Sequence, residues 1–224
     1  MDDDLSLGAM RWGPAEAPAT QLVVLLHGLG ADGADLIDLA PYWSRALPHA
    51  AFVAPHAPEP YVEAGFGRQW FSRSASPDLR EAAADASRAW LDRFIDDELA
   101  RLGLADYALM GFSQGAMMAL HTGLGRQVAP RAILAFSGAL LGGAPLVPER
   151  LSDIVSRPPI LLVHGDADDV VPVQRSRDAE IALRAAGLDV QELYRPGLGH
   201  GIDDAGLSAG ALMLQRGFAT RAVS

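Results

Sequence analysis

Short apolar runs alternate along the chain with longer amphipathic ones. The runs at residues 22–26, 51–54, 107–110, 132–136, 160–164 and 190–194 predict strands. Several are continuously apolar, as strands of a parallel sheet covered on both faces must be. Residues 35–47, 78–101, 114–124, 174–186 and 205–219 predict helices. The longest, 78–101, is rich in Ala, Leu, Arg and Glu and is followed by Gly103, a residue suited to a left-handed cap. Residues 7–12 predict an antiparallel edge strand. Strand–helix alternation implies βαβ units, hence an α/β fold with a mostly parallel, doubly wound sheet and helices on both faces. One domain spanning 1–224 is expected, with no repeat, linker or large cap.

Two connections are long. Residues 55–77, "PHAPEPYVEAGFGRQWFSRSASP", carry Pro, Gly and aromatic residues, and residues 137–149, "SGALLGGAPLVPE", are small and apolar. Long ordered loops in compact domains tend to serve function, so both are expected to line a substrate pocket.

Two glycine-rich turns follow predicted strands. The first, "LLHGLGADG", contains Gly28-Leu29-Gly30-Ala31-Asp32-Gly33, which matches the dinucleotide pattern G-x-G-x-x-G. A dinucleotide site also needs an acid at the end of the next strand, about 20 residues on. Here residues 51–54 end in Pro55-His56-Ala57-Pro58 and the nearest acid is Glu59. A nucleotide-dependent oxidoreductase is therefore the remote alternative. The second turn, "LMGFSQGAM", contains Gly111-Phe112-Ser113-Gln114-Gly115, or G-x-S-x-G, between a predicted strand and a predicted helix. That is the context of a nucleophile elbow. A serine on such a turn is held strained with its Oγ exposed, and small residues on either side let the backbone pass.

A nucleophilic serine needs a base, and the base needs an orienting acid. On this fold the chain order is Ser, acid, His. Of the six histidines, His121, His164 and His200 follow Ser113. His121 and His164 precede the acidic cluster and fail the order, so His200, in the loop "PGLGHG", is the candidate base. The stretch "HGDADDVVP", residues 164–172, offers Asp166, Asp168 and Asp169 as the acid, and the residues alone do not choose among them.

Together, Leu26-His27-Gly28-Leu29-Gly30, the Ser113 turn, the stretch from His164 to Pro172 and Gly199-His200 resemble the phospholipase/carboxylesterase family of α/β-hydrolases. This compact group includes acyl-protein thioesterases and small bacterial carboxylesterases. The resemblance runs from about residue 20 to the C-terminus. It implies Ser113 as nucleophile, His200 as base and Asp168 as acid. It agrees with the geometric expectation that the N–H groups of Leu29 and Gln114 form an oxyanion hole. His27 then reads as a structural residue whose ring bonds nearby backbone. Trp70 and Phe71 resemble the apolar wall of the acyl site. The family commonly places Asp after that aromatic pair, where this chain has Ser72, and no role is carried onto it. The implied activity is hydrolysis of carboxylic esters, with acyl-protein thioesterase or lysophospholipase activity as the alternative. The similar bacterial esterases suggest a homodimer.

Composition narrows the picture further. The chain has no cysteine, which excludes disulfides, thiolate metal sites and a cysteine nucleophile. Asp32, Asp35 and Asp38 read as helix caps rather than metal ligands, and no cofactor is expected. A formal charge of −10 repels nucleic acid and anionic membranes. The acidic start, Met1-Asp2-Asp3-Asp4, does not resemble a secretory signal, and no run approaches a membrane span, so a cytoplasmic location is expected.

Overall fold

The computed structural model describes residues 8–14, 18–73, 76–142 and 154–219. Its main sheet has the strands β1 (Ala9–Trp12), β2 (Gln21–Leu26), β3 (Ala50–Pro55), β6 (Tyr107–Phe112), β7 (Ile133–Phe136), β8 (Ile160–Gly165) and β9 (Val190–Arg195). Their spatial order is β1-β3-β2-β6-β7-β8-β9. Only β1 runs antiparallel, with Trp12 opposite Phe52, and it forms the edge strand expected from residues 7–12, of which Leu7 lies outside the described residues.

The continuous apolar runs are explained by burial on both faces. Along β2, Leu22, Val24 and Leu26 enter one core, while Val23 and Leu25 enter the other. The first core packs under helices α3 (Pro77–Leu102), α4 (Gln114–Gly125) and α5 (Gln174–Ala185), with Leu91, Ile95, Ala119 and Leu183 among its members. The second packs under α1 (Gly33–Ile37), α2 (Ala40–Trp43) and α6 (Asp204–Ala219), with Leu36, Trp43 and Leu214. Helix α3 ends where expected, on Gly103 at φ 66°.

The single helix predicted over 35–47 is instead two short ones. Pro41 explains the break: it has no N–H to bond the carbonyl of Ile37, and its ring crowds that carbonyl, so α1 stops at Ile37. The long connection after β3 is also not loop throughout. It holds a two-stranded antiparallel pair, β4 (Glu59–Pro60) and β5 (Arg68–Gln69). The second long connection lies within the described residues only as far as Gly142.

This order places the site. From β2 the sheet grows one way to β3 and the other way to β6. The crevice at the carboxyl ends of β2 and β6 is therefore the switch point where α/β sheets bind ligands. The Leu29 turn leaves β2 there, and the Ser113 turn leaves β6 beside it.

Candidate active site

Ser113 links β6 to α4 with φ 55° and ψ −116°, a conformation costly for any residue with a side chain. The surroundings fix it. Its N–H donates to Phe136 O at 2.8 Å, and its carbonyl accepts from the N–H groups of Ala116 and Met117. The flanking glycines are required by contact. A Cβ at Gly111 would collide with the Gly115 carbonyl, and one at Gly115 with the carbonyls of Leu26 and His27. The elbow expected from the sequence is thus present, held between two neighbouring strand ends.

Three loops converge on it. The loop after β9 carries His200, whose ring lies 4.8 Å, centroid to centroid, from that of Phe112. His200 Nδ1 is 2.7 Å from Asp168 Oδ2 in the loop after β8. The three acidic candidates separate here. Asp168 faces His200 and is buried, while its Oδ1 accepts from the N–H groups of Val170 and Val171 at 2.9 and 2.8 Å. Burial alone would raise its carboxyl. The bonds from His200, Val171 and Val170 outweigh it and hold the group below the ordinary carboxylate range, so it stays ionised. Asp166 joins the two loops instead. It accepts from Gly197 N at 2.7 Å, its own N–H donates to Arg195 O, and Ala167 N donates to Leu198 O. Asp169 makes neither contact and is exposed. Arg195 and Asp203 bridge the ends of the His200 loop at 2.7 Å.

The turn after β2 completes the crevice. A Cβ on Gly28 would sit 3.4 Å from Ser113 Cβ, so this turn lies against the serine. Gly30 N donates to Arg68 O and Ala31 N to Gly28 O, whereas Leu29 N donates to no protein group among the described residues. Gln114 is the first residue of α4, where a backbone N–H has no partner within the helix. Its side chain has a task the sequence did not reveal. Its Oε1 accepts from Trp70 N and its Nε2 donates to Phe71 O, both at 2.8 Å. No local pattern signals a bond between residues 43 and 44 positions apart.

Trp70 and Phe71 are both buried. The Trp70 indole donates to His27 O and packs on the His27 and Trp90 rings. His27 is structural, as its motif position suggested. Its Nε2 accepts from Ala57 N, so Nδ1 carries the proton donated to Gly28 O. Burial pushes this imidazole down to about 4 and keeps it neutral.

The helix start at Gly33 cannot cradle a dinucleotide phosphate. Its first amides are already taken: Gly33 N donates to His56 Nδ1 and Ala34 N to Asp32 Oδ1. The Asp32 charge stands where the phosphate would bind, and α1 is only five residues long.

A strained serine at the switch point of a mostly parallel sheet, with an Asp–His pair on the adjoining loops, is the arrangement of an α/β-hydrolase. The sequence model of the phospholipase/carboxylesterase family matches residues 13–214. The chain belongs to that family. It is 31% identical over 195 residues to esterase YpfH of Escherichia coli strain K12, covering 84% of this chain and 79% of that one. It is 32% identical over 204 residues to acyl-protein thioesterase 1 of Neurospora crassa, with 84% and 82% covered. Among solved structures, esterase PE8 superposes with a TM-score of 0.84 at 41% identity, covering 92% of this chain and 97% of that one. Among the described residues no helix is long and apolar enough to cross a membrane.

Proposed function

We propose that this protein is a carboxylesterase working through Ser113, His200 and Asp168. The carrying observation is the buried carboxylate of Asp168, 2.7 Å from His200 Nδ1, on loops that bring the imidazole beside the strained Ser113 turn. His200 Nε2 takes the Ser113 proton as Oγ attacks the acyl carbonyl. Asp168 accepts from Nδ1–H and stabilises the imidazolium. The tetrahedral oxyanion accepts from the N–H groups of Leu29 and Gln114, an interaction worth about 3–4 kcal/mol per donor. Two observations support this pair: the unengaged Leu29 amide in a turn against Ser113, and the place of Gln114 at the start of α4. His200 then returns its proton to the leaving alcohol, and the acyl group stays on Ser113. Water, deprotonated by His200, attacks this ester, and His200 returns that proton to Ser113 Oγ as the acid is released. Trp70 and Phe71 back the acyl side of the crevice. The proposed chemistry uses no metal or organic cofactor.

Thioesters are the second reading, favoured by the likeness to acyl-protein thioesterase 1, and lysophospholipids remain within the family's range. The whole chain acts as one domain, because both cores pack on a single sheet. A homodimer rests on the likeness to small bacterial esterases, and sedimentation would give twice the 23.7 kDa of one chain.

The test is hydrolysis of p-nitrophenyl esters of increasing chain length, beside matched thioesters, by the native protein and by Ser113→Ala. The variant should lose kcat by on the order of 10⁴- to 10⁶-fold on every substrate. Hydrolysis undiminished in Ser113→Ala would sink the mechanism. Faster turnover of long-chain thioesters than of short esters would move the assignment to thioesterase.

A further inference from the structure

His164 is removed as a base by chain order, yet it lies against the same carboxylate. It lies near the end of β8 with its side chain fully buried. Its Nε2 is 2.8 Å from Val171 O and 3.0 Å from Asp168 Oδ2. Both neighbours only accept, so Nε2 carries a proton, which bonds Val171 O with Asp168 Oδ2 close beside it. Its Nδ1 is 2.6 Å from Ser176 Oγ on α5, and that hydroxyl also lies 3.2 Å from Gly138 O. Burial pushes His164 below the ordinary histidine range, so the ring is neutral and its Nδ1 accepts from Ser176. The ionisable neighbours of His164 are Asp168 and His200. Helix α5 contributes only the Ser176 hydroxyl, and the loop after β7 only the Gly138 carbonyl.

The Asp168 carboxylate accepts from Val170 N and Val171 N at Oδ1 and from His200 at Oδ2, and His164 Nε2 stands 3.0 Å from the same Oδ2. We propose that His164 is a positioning residue for hydrolysis: it fixes Asp168 Oδ2 in line with His200 and draws off part of that oxygen's negative charge. The proposal rests on the reading of Asp168 and His200 given above. A hydrogen bond accepted by a carboxylate lowers the charge it presents to its other partner. With His164 in place, Asp168 orients His200 while presenting it with less negative charge. A histidine that merely filled the core would affect stability and leave the pH dependence of turnover alone.

The experiment compares kcat, KM and the pH profile of kcat/KM for the native protein, His164→Leu, His164→Gln and Ser113→Ala, with folding checked by urea denaturation. His164→Leu removes the donor. It should lower kcat roughly 10- to 100-fold with KM within about twofold. The acid limb of its profile should move to higher pH, because the unshared carboxylate favours the imidazolium. His164→Gln puts an amide N–H where Nε2 was and should recover most of the rate and the native limb. Native kinetics in folded His164→Leu would overturn the proposal, as would a glutamine variant no better than the leucine one. If His164→Leu does not fold, His164→Phe carries the test. It fills the ring's volume without a donor, and a kcat and acid limb unchanged from native would equally overturn the proposal. Ser113→Ala separates the two readings. Activity in that variant removes the triad itself. A silent Ser113→Ala beside a native-like His164→Leu removes only the role of His164.

Discussion

Single residues at this site are constrained mostly by backbone contact. Gly115 faces the carbonyls of Leu26 and His27, so no side chain fits there without moving the β2 turn. Gly115→Ala should cost about 3 kcal/mol in urea denaturation and disturb the amides around Ser113. A methyl group at Gly13 would meet no atom within 4 Å, so Gly13→Ala should leave stability unchanged. Equal effects from the two would refute the contact argument. The glycines of G-x-S-x-G were legible in the sequence because they meet a local need of one tight turn. The separate tasks of Asp166, Asp168 and Asp169 were not. One carboxylate reaches Gly197 and another reaches His200 across 31 and 32 positions of chain, and no local pattern encodes that distance.

Among the elements, the loop carrying Trp70 and Phe71 is tied to the start of α4 by one side chain. Gln114 satisfies a buried N–H and a buried carbonyl of that loop at once. Gln114→Leu keeps the backbone N–H proposed for the oxyanion and leaves both loop groups unpaired. It should cost about 3 kcal/mol and alter acyl-chain selectivity more than the rate on the shortest ester. A loss in urea denaturation below about 1 kcal/mol would show that the loop stands without it. The strands and long helices were readable because their apolar spacing is set by burial on two faces. Apolar spacing predicts one helix over 35–47, and Pro41 divides it. Apolar periodicity persists across a proline that the backbone hydrogen bonds cannot cross.

For the molecule as a whole, buried imidazoles tie stability to pH. His27 titrates at about 4 in the folded protein against 6.5 for an ordinary histidine. Its contribution is complete above pH 6.5. As pH falls from there towards 4, the unfolded chain binds a proton that the folded one refuses, and stability drops by about 1.4 kcal/mol per pH unit. His164 is shifted in the same direction. Asp168, held below its ordinary range, adds its loss only at still lower pH. Urea denaturation of the native protein should therefore lose about 1.5 kcal/mol between pH 6.5 and pH 5 through His27. His27→Gln keeps an acceptor for Ala57 N and does not titrate, so its drop should be smaller by about that amount. The same drop in both proteins would show that His27 does not set it.

The sequence by itself determined the alternation of strands and helices, the two-faced burial of the central strands, the strained turn at Ser113 and the order that singled out His200. These depend on spacing within a few residues or on the order of segments along one chain. Only the tertiary structure decided how Asp166 and Asp168 divide between Gly197 and His200 and that Gln114 pins the aromatic loop. Each of these is a contact between segments far apart in sequence. Such contacts are set by how the strand ends and loops meet at the switch point of the sheet, after the local structure has formed.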